Sequence, residues 1–292
     1  MTKQTILITG ATGRTGRRLV TRLRDREQFP KQITVRSASR QQGPPFSWDD
    51  PASWEVHLVG ADAVFVCYAP DVADPEAPPI LGAFAARARA HGVARLVLQS
   101  GRGDQAASPS EESVKEGFPG AIVVRSAWFQ QNFAEHFLQP QVVRGRLQVP
   151  VADVREPFVD LDDSVEALTR LLTEPETYLA ATRRHSGLLE FTGPEALTFG
   201  AVAGLLSSVL DRTVIHQPTD ADDFVANAGA YGLEPAEAEG IAWLFAEVMN
   251  GSVSNVTNDL EALLGRPAGR TADYISRTAP SGVWDQADAC AS

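Results

Sequence analysis

Three glycines near the amino terminus have the spacing of a phosphate-binding turn. Gly10, Gly13 and Gly16 follow the apolar, β-branched run 5–9 and precede residues 19–23, whose apolar members recur at helical spacing. Between a strand and a helix, such glycines permit a tight turn, close approach of a pyrophosphate and close helix packing. A purely structural turn is the alternative interpretation. The predicted dinucleotide-binding residues of this turn are Gly10, Thr12, Gly13, Arg14, Thr15 and Gly16.

The region after the second predicted strand indicates which dinucleotide is bound. NAD sites usually carry a carboxylate about 20 residues beyond the glycines, which bonds the ribose 2′-hydroxyl. Here no acidic residue lies between Glu27 and Asp49, whereas Arg36, Ser37 and Arg40 cluster just beyond the strand. Because guanidinium groups pair well with phosphates, these residues predict NADP(H). The alternative is that the arginines cap an exposed loop.

A proton-donating pair is missing from the sequence. Tyrosine-dependent short-chain reductases place a tyrosine four residues before a lysine, which lowers the pKa of the phenol. Of the three lysines, Lys31 and Lys115 have glutamates at that spacing and Lys3 has no residue there. An iminium ion becomes a neutral amine on hydride transfer, and a quinone can take its proton from water. The missing pair therefore favours those electrophiles over a simple carbonyl.

Residues after other strand ends are further candidates for the site. A phenylalanine-rich helix predicted to begin at Trp128 places Phe129, Phe133 and Phe137 on one stripe, which indicates core. Trp128 and Asn132 lie on the adjoining stripe, where they would face the nicotinamide or substrate, or else pack and cap the helix. The remaining candidates follow two predicted strand ends, where turn chemistry alone is the alternative. They are Tyr68, Ala69, Pro70, Ser100 and Gly101.

The composition argues against several other classes of protein. A net charge of −11 disfavours a nucleic-acid partner. The five histidines lack metal-site spacing, and Asp160, Asp162 and Asp163 are better explained as the acidic start of a helix, so we expect no metal. No apolar run reaches the roughly 20 residues of a membrane span. Two cysteines indicate a reducing compartment, and we expect a cytoplasmic protein.

The elements that must position these residues follow a βαβ rhythm. Buried-strand patterns occur at 5–9, 33–35, 63–67, 96–98 and 122–124, with an alanine-rich helix at 82–91. This order predicts an α/β fold with a doubly wound parallel Rossmann sheet, whose ligands gather at the carboxyl ends of the strands. We assign residues 1–127 to the nucleotide-binding domain, with 151–175 returning to it. Residues 128–150 and 176–292, with a strand at 188–192 and helices at 198–210, 235–249 and 257–264, would form a smaller α+β substrate lobe.

Several of these segments together resemble one family. They are residues 6–16, 46–51, 63–70 and 125–133, followed later by 189–199 and 259–267. The chain resembles the NmrA-like atypical short-chain dehydrogenases nearly end to end, and is most similar to the subgroup that contains festuclavine synthase and agroclavine dehydrogenase. That resemblance implies hydride transfer from NADPH to an iminium. Other members are quinone oxidoreductases and isoflavone-reductase-like enzymes, and the namesake is a dinucleotide-sensing regulator.

The resemblance also implies a role for Lys115. Isoflavone-reductase-like members carry a lysine before the strand that leads into their counterpart of residues 125–129, and Lys115 is the nearest equivalent. Glu111 and Glu112 occupy the same region. They could relay protons, but a solvated helix face explains a mixture of glutamate and lysine more simply.

The sequence as a whole predicts an NADPH-dependent reductase in secondary metabolism, acting on a small electrophilic metabolite of the iminium, quinone or enone type. The substrate is expected between the carboxyl edge of the sheet and the smaller lobe. The sequence leaves open whether the protein forms a homodimer. The alternatives are a non-catalytic NADP(H)-sensing regulator and an isomerase or cyclase that retains its cofactor.

Overall fold

Six apolar runs form one parallel sheet. The computed structural model describes residues 3–25, 27, 33–39 and 44–285. The sheet order is β2-β1-β3-β4-β5-β7, and every neighbouring pair is parallel. The short strands β6 and β8 form a separate parallel pair. The strands are β1 Gln4–Thr9, β2 Ile33–Ala38, β3 Ala63–Val66, β4 Arg95–Gly101, β5 Ile122–Ser126, β6 Arg146–Leu147, β7 Leu188–Phe191 and β8 Ile215–His216.

Twelve α-helices accompany these strands within the described residues. They are α1 Arg14–Leu23, α2 Ala52–Leu58, α3 Ala77–Ala90, α4 Ser108–Gly117, α5 Gln139–Val143, α6 Leu161–Thr173, α7 Pro175–Arg183, α8 Phe199–Leu210, α9 Ala221–Ala226, α10 Pro235–Val248, α11 Asp259–Leu264 and α12 Thr271–Thr278. The alternation of strand and helix through β5 confirms the predicted α/β Rossmann class. Helices alternate with the strands because a parallel sheet that is buried on both faces needs helices on both sides.

The chain divides into two compact units. The nucleotide unit comprises Met1–Ser126, Asp162–Phe191 and Asp259–Gly265, and the second unit comprises Ala127–Leu161, Thr192–Asn258 and Arg266–Ser292. In the nucleotide unit, strand residues such as Leu7, Val64 and Leu98 are fully buried in a cluster with side chains of α2, α3 and α4. This packing fixes the strand ends from which the site is built.

The second unit has a core rich in aromatic side chains. Phe133, Phe158 and Phe199 lie within 5.3–5.6 Å of one another, measured between ring centroids. The Trp284 indole N–H donates to the Phe133 carbonyl at 2.7 Å, which ties the end of the described chain to this core.

The returning strand differs from the predicted division. A strand was expected at 188–192 within the smaller lobe, but β7 pairs with β5 as the sixth strand of the main sheet. α7 and α11, from the same predicted lobe, also belong to the nucleotide unit. The apolar pattern of a segment indicates that it forms a buried strand, but it does not indicate which strand it pairs with. The pairing of β7 with β5 therefore could not be inferred from periodicity.

The predicted helix beginning at Trp128 is wrong. The chain forms two short 3-10 helices, Gln130–Phe133 and His136–Leu138, with an extended residue at Glu135 between them. The Gln131 side chain donates to Asp160 at 2.7 Å and accepts from the Leu161 N–H at 2.8 Å. The Trp128 carbonyl accepts from the Val159 N–H at 2.9 Å, so it is not available to a helix that begins at Trp128. Phe133 and Phe137 are nevertheless buried as expected.

Tyr178 provides a test of how β4 is anchored. Its buried hydroxyl accepts from the Leu96 N–H at 3.0 Å and donates to the Gly120 carbonyl at 2.6 Å. Burial raises its pKa to about 12, so the donor is kept. Tyr178→Phe should lower the free energy of unfolding by about 1–3 kcal/mol, because two buried backbone groups lose a partner. Denaturant titration measures this, and an unchanged midpoint would contradict it.

Candidate functional site

The glycine-rich turn joins β1 to α1 with very little space. Gly10 has a φ of +61°, and its carbonyl accepts from the Gly13 N–H at 2.9 Å. A Cβ built on Gly16 would stand 2.2 Å from the Gly10 carbonyl oxygen, so α1 rests directly on the turn. A Cβ on Gly10 would reach Cys67 at 3.0 Å, which places the turn against the end of β3. Only glycine permits this arrangement.

The first turn of α1 suits a bound anion. It contains no acidic residue and no side-chain cap, and Thr12 and Gly13 are exposed in front of it. The first amides of any helix lack intrahelical acceptors and carry positive potential. Arg14 is half-buried and Thr15 is buried in the same turn. These residues therefore fit the pyrophosphate of a dinucleotide, as the spacing predicts.

The structure places the predicted 2′-phosphate residues differently from the sequence. Arg36 and Ser37 lie inside β2, not beyond it, because the strand continues to Ala38. Nη1 of Arg36 donates to the Val59 carbonyl at 2.9 Å and also to the carbonyl of His57. Arg36 thus holds the end of α2 with that nitrogen. Arg40 lies outside the described residues.

The end of β3 carries an aromatic wall. Tyr68 is half-buried, and its ring centroid lies 5.0 Å from that of Trp48. The Ala69–Pro70 peptide that follows is cis. The Thr9 hydroxyl oxygen accepts from the Cys67 N–H at 2.9 Å, which fastens the end of β1 to that of β3. Tyr68, Ala69 and Pro70 therefore lie at the same edge of the sheet as the glycine turn.

A polar row crosses the ends of three neighbouring strands. Ser100, Arg125 and Glu190 are in register on β4, β5 and β7, so their side chains share one face. Ser100 donates to Glu111 at 2.6 Å, and Arg125 forms a salt bridge with Glu111 at 2.6 Å. Ser100 and Gly101 are the last residues of β4 and do not follow it.

The burial of Glu111 shows that this part of α4 is not simply the solvated helix face that the mixture of glutamate and lysine suggested. Its side chain is buried between Ser100 and Arg125, whereas its neighbour Glu112 is exposed. Sequence reasoning missed Arg125 as a functional residue, and its register with Ser100 appears only once the strands are paired. Lys115 lies one turn further along α4, away from the carboxyl ends of the strands. Partial burial lowers its pKa.

Asp104 is a second buried carboxyl group at the end of β4. Its side chain accepts from the Ala106 N–H at 3.0 Å. Burial, with a smaller contribution from the charge of Asp71, raises its pKa above the ordinary value. Its position just after β4 gave no motif by which sequence reasoning could find it.

Trp128 and Asn132 belong to the second unit. The Trp128 N–H donates to the Glu156 carboxylate at 3.1 Å, and its half-buried ring lies 4.7 Å from that of Phe245. Asn132 is buried in the first 3-10 helix. Their predicted contact with nicotinamide or substrate stays a prediction. Among the described residues, no group of three or more histidine, cysteine, aspartate or glutamate side chains could hold a metal ion.

Comparison with known proteins adds independent findings. A family model described as NAD(P)H-binding matches residues 10–145. The uncharacterized oxidoreductase YesF of Bacillus subtilis is 28% identical over 91% of this chain and 92% of its own. Agroclavine dehydrogenase of Claviceps fusiformis is 27% identical over 93% and 96%.

Solved structures share the fold. An NADPH-dependent quinone oxidoreductase from Escherichia coli has a TM-score of 0.72 at 20% identity, covering 93% of this chain and 99% of that one. The negative transcriptional regulator NmrA has a TM-score of 0.69 at 15% identity, covering 96% of each. These findings support the predicted resemblance to the NmrA-like atypical short-chain dehydrogenases. The predicted resemblance is therefore confirmed.

The similarities indicate a coarse function. The similar proteins include oxidoreductases, and the matched domain confirms a nicotinamide dinucleotide, NAD(P)H, as the predicted type of cofactor. In the part of the chain that the structure describes, no helix combines the length and apolar character needed to span a membrane.

Gly16→Ala tests the turn. Because the added methyl would overlap the Gly10 carbonyl, the start of α1 must shift, and affinity for NADPH should fall by at least about tenfold. Gly204→Ala is the matched control, since no atom lies within 4 Å of its added Cβ on α8. Calorimetric titration of both variants measures the effect, and equal affinities would contradict it.

Glu111→Gln tests the polar row. Removing the charge leaves Arg125 without its anionic partner, so the free energy of unfolding should fall by about 2 kcal/mol. The exposed neighbour offers a control, and Glu112→Gln should change it by less than about 0.5 kcal/mol. Thermal unfolding compares the two, and indistinguishable variants would show that the row is not a buried network.

Proposed function

We propose that this chain is an NADPH-dependent reductase of a small cationic electrophile of the iminium type, working in secondary metabolism. The observation that carries the proposal is the division of charge. The nucleotide unit contains 19 basic and 21 acidic residues, whereas the second unit contains 7 basic and 16 acidic residues. An acidic surface concentrates cations near it. A positive substrate would therefore meet a favourable field at the second unit.

The choice of NADPH rests on the turn and on the end of β2. The turn offers an anion site, and no carboxylate stands between Glu27 and Asp49 to bond a ribose 2′-hydroxyl. We propose Arg40 and Ser37 as partners of the 2′-phosphate. Arg36 contributes through the nitrogens that do not bond the end of α2. The bound NADPH seen in the E. coli quinone oxidoreductase supports this choice.

The chain's own residues match a reaction without an acid. Bound NADPH supplies a hydride, and an iminium carbon that accepts it gives a neutral amine, so no proton is needed. Glu111 is held in a salt bridge with Arg125, and Lys115 lies one turn away from the strand ends. Neither is placed as a proton donor. The residues would bind and orient the two reactants, and orientation alone can supply much of the rate.

Trp128 is the proposed contact for the substrate. Its indole face is half-buried, and cations are attracted to aromatic faces. The Trp128 N–H donates to the buried Glu156 carboxylate at 3.1 Å, which fixes the position of the Trp128 backbone. The similarity to agroclavine dehydrogenase supports the same substrate class. Quinones and enones remain the other electrophiles within the proposal.

A sensor of the NADP(H) redox state is the second candidate. It is favoured by the missing tyrosine and lysine pair and by the likeness in fold to the NmrA regulator. A sensor would bind the oxidised and reduced cofactor with different affinities and turn over no metabolite.

Turnover of different electrophiles tests the proposal. NADPH oxidation is followed by absorbance against cyclic iminium ions, quinones and enones. Iminium ions should react at least about tenfold faster than the neutral electrophiles, and added salt should narrow that difference because screening weakens the acidic field.

Trp128→Ala should lower kcat by at least about tenfold, while the NADPH Kd stays within about twofold. Trp243→Ala is the matched control, because Trp243 is a 47% exposed tryptophan on α10 of the same unit. A faster reaction of quinones would contradict the cationic substrate, and no turnover with tight binding would favour the sensor. Equal losses in both variants would remove Trp128 from the site.

A further inference from the structure

The end of β2 is fastened to the end of α2. Arg36 projects from β2, and its Nη1 donates to the carbonyls of His57 and Val59, the latter at 2.9 Å. These carbonyls end α2, where the helix leaves acceptors without intrahelical donors. A cation there also complements the negative end of the helix dipole. Arg36 therefore fixes α2 relative to the strand that leads toward the 2′-phosphate region.

His57 holds the chain where it comes back from that region. Its side chain is fully buried, and its Nε2 lies 3.1 Å from the Pro44 carbonyl, to which it donates. The ring also packs edge-on against Phe46, with centroids 5.6 Å apart. The Phe46 N–H in turn donates to the Ser39 carbonyl at 3.2 Å, which brings the outgoing and returning chain together.

A second contact from α2 holds the same returning segment. The Ser53 hydroxyl oxygen accepts from the Ser47 N–H at 3.0 Å, while its own proton goes to the Asp50 carbonyl at 2.6 Å. The Trp54 indole N–H donates to the Ser47 carbonyl at 2.8 Å. One short helix thus holds both flanks of the chain at the carboxyl end of β2.

This place in the fold is where nucleotide-binding sheets discriminate between cofactors. The group that meets the ribose 2′ position follows the second strand, and binding is tighter when such a group is held in place beforehand. We infer that His57 is a positioning residue for cofactor choice, which sets the preference for the 2′-phosphorylated dinucleotide without touching it. The inference rests on the proposed use of NADPH.

The state of the imidazole agrees with that role. Burial lowers the pKa of His57, so the ring is neutral near pH 7 with one N–H to give. Its Nδ1 is buried without a hydrogen-bond partner among the described residues. A glutamine could present an N–H at nearly the position of Nε2, whereas a leucine would fill the space and offer none.

Three variants of the full chain separate positioning from stability. His57→Leu removes the bond to Pro44, His57→Gln keeps a donor, and Val114→Ala makes a cavity in α4 of the same unit, away from β2. NADPH, NADH and adenosine 2′,5′-bisphosphate are titrated by calorimetry. His57→Leu should lower the NADPH to NADH affinity ratio by about tenfold and weaken the bisphosphate similarly, and His57→Gln should stay within about twofold of wild type.

Val114→Ala should lose stability and keep the ratio. If His57→Leu does not fold, Ser53→Ala replaces it, since it removes the acceptor of the Ser47 N–H at a half-buried position, and a fall in its ratio of about threefold is expected. A ratio unchanged from wild type in the folded variant, or a drop shared by NADPH and NADH, would overturn the inference. A wild type that does not prefer NADPH would instead refute the proposed cofactor, and the inference with it.

Discussion

The close contact between Gly16 and the Gly10 carbonyl is the constraint on which the site depends. A side chain at position 16 would stand 2.2 Å from that oxygen, so α1 can begin where it does only because no side chain is there. The contact aims the amino terminus of α1 across the end of β1, and the end of β3 closes against the turn from the other side through Cys67. Burial raises the pKa of the Cys67 thiol to about 11, which keeps this support uncharged.

The other polar features of the nucleotide unit lie beside this turn, one after another along the carboxyl edge of the sheet. The turn fits an anion, Tyr68 follows β3 with the Trp48 ring packed against it, and the ends of β4 and β5 carry the row in which Glu111 pairs with Arg125. The second unit differs in kind, because its core is aromatic and its charge strongly negative.

Much of the nucleotide unit could be predicted because its signals are local. A strand, three glycines and a helix lie within residues 5–23, and each needs only its neighbours to be recognised. The break after Trp128 could not be predicted, since the Trp128 carbonyl bonds to the backbone of Val159, about 30 positions away. The burial of Glu111 likewise depends on Arg125, which comes beside it only when β4 and β5 pair. The return of β7 to the sheet is a long-range event of the same type.

The central claim is that the glycine turn and the region after β2 bind a 2′-phosphorylated nicotinamide dinucleotide. The most direct measurement is a calorimetric titration of the purified chain with NADPH, NADP+, NADH and NAD+. The account predicts one site per chain, with the phosphorylated pair bound at least about tenfold more tightly than the other pair. Tighter binding of NADH and NAD+, or no binding of any of the four, would contradict it.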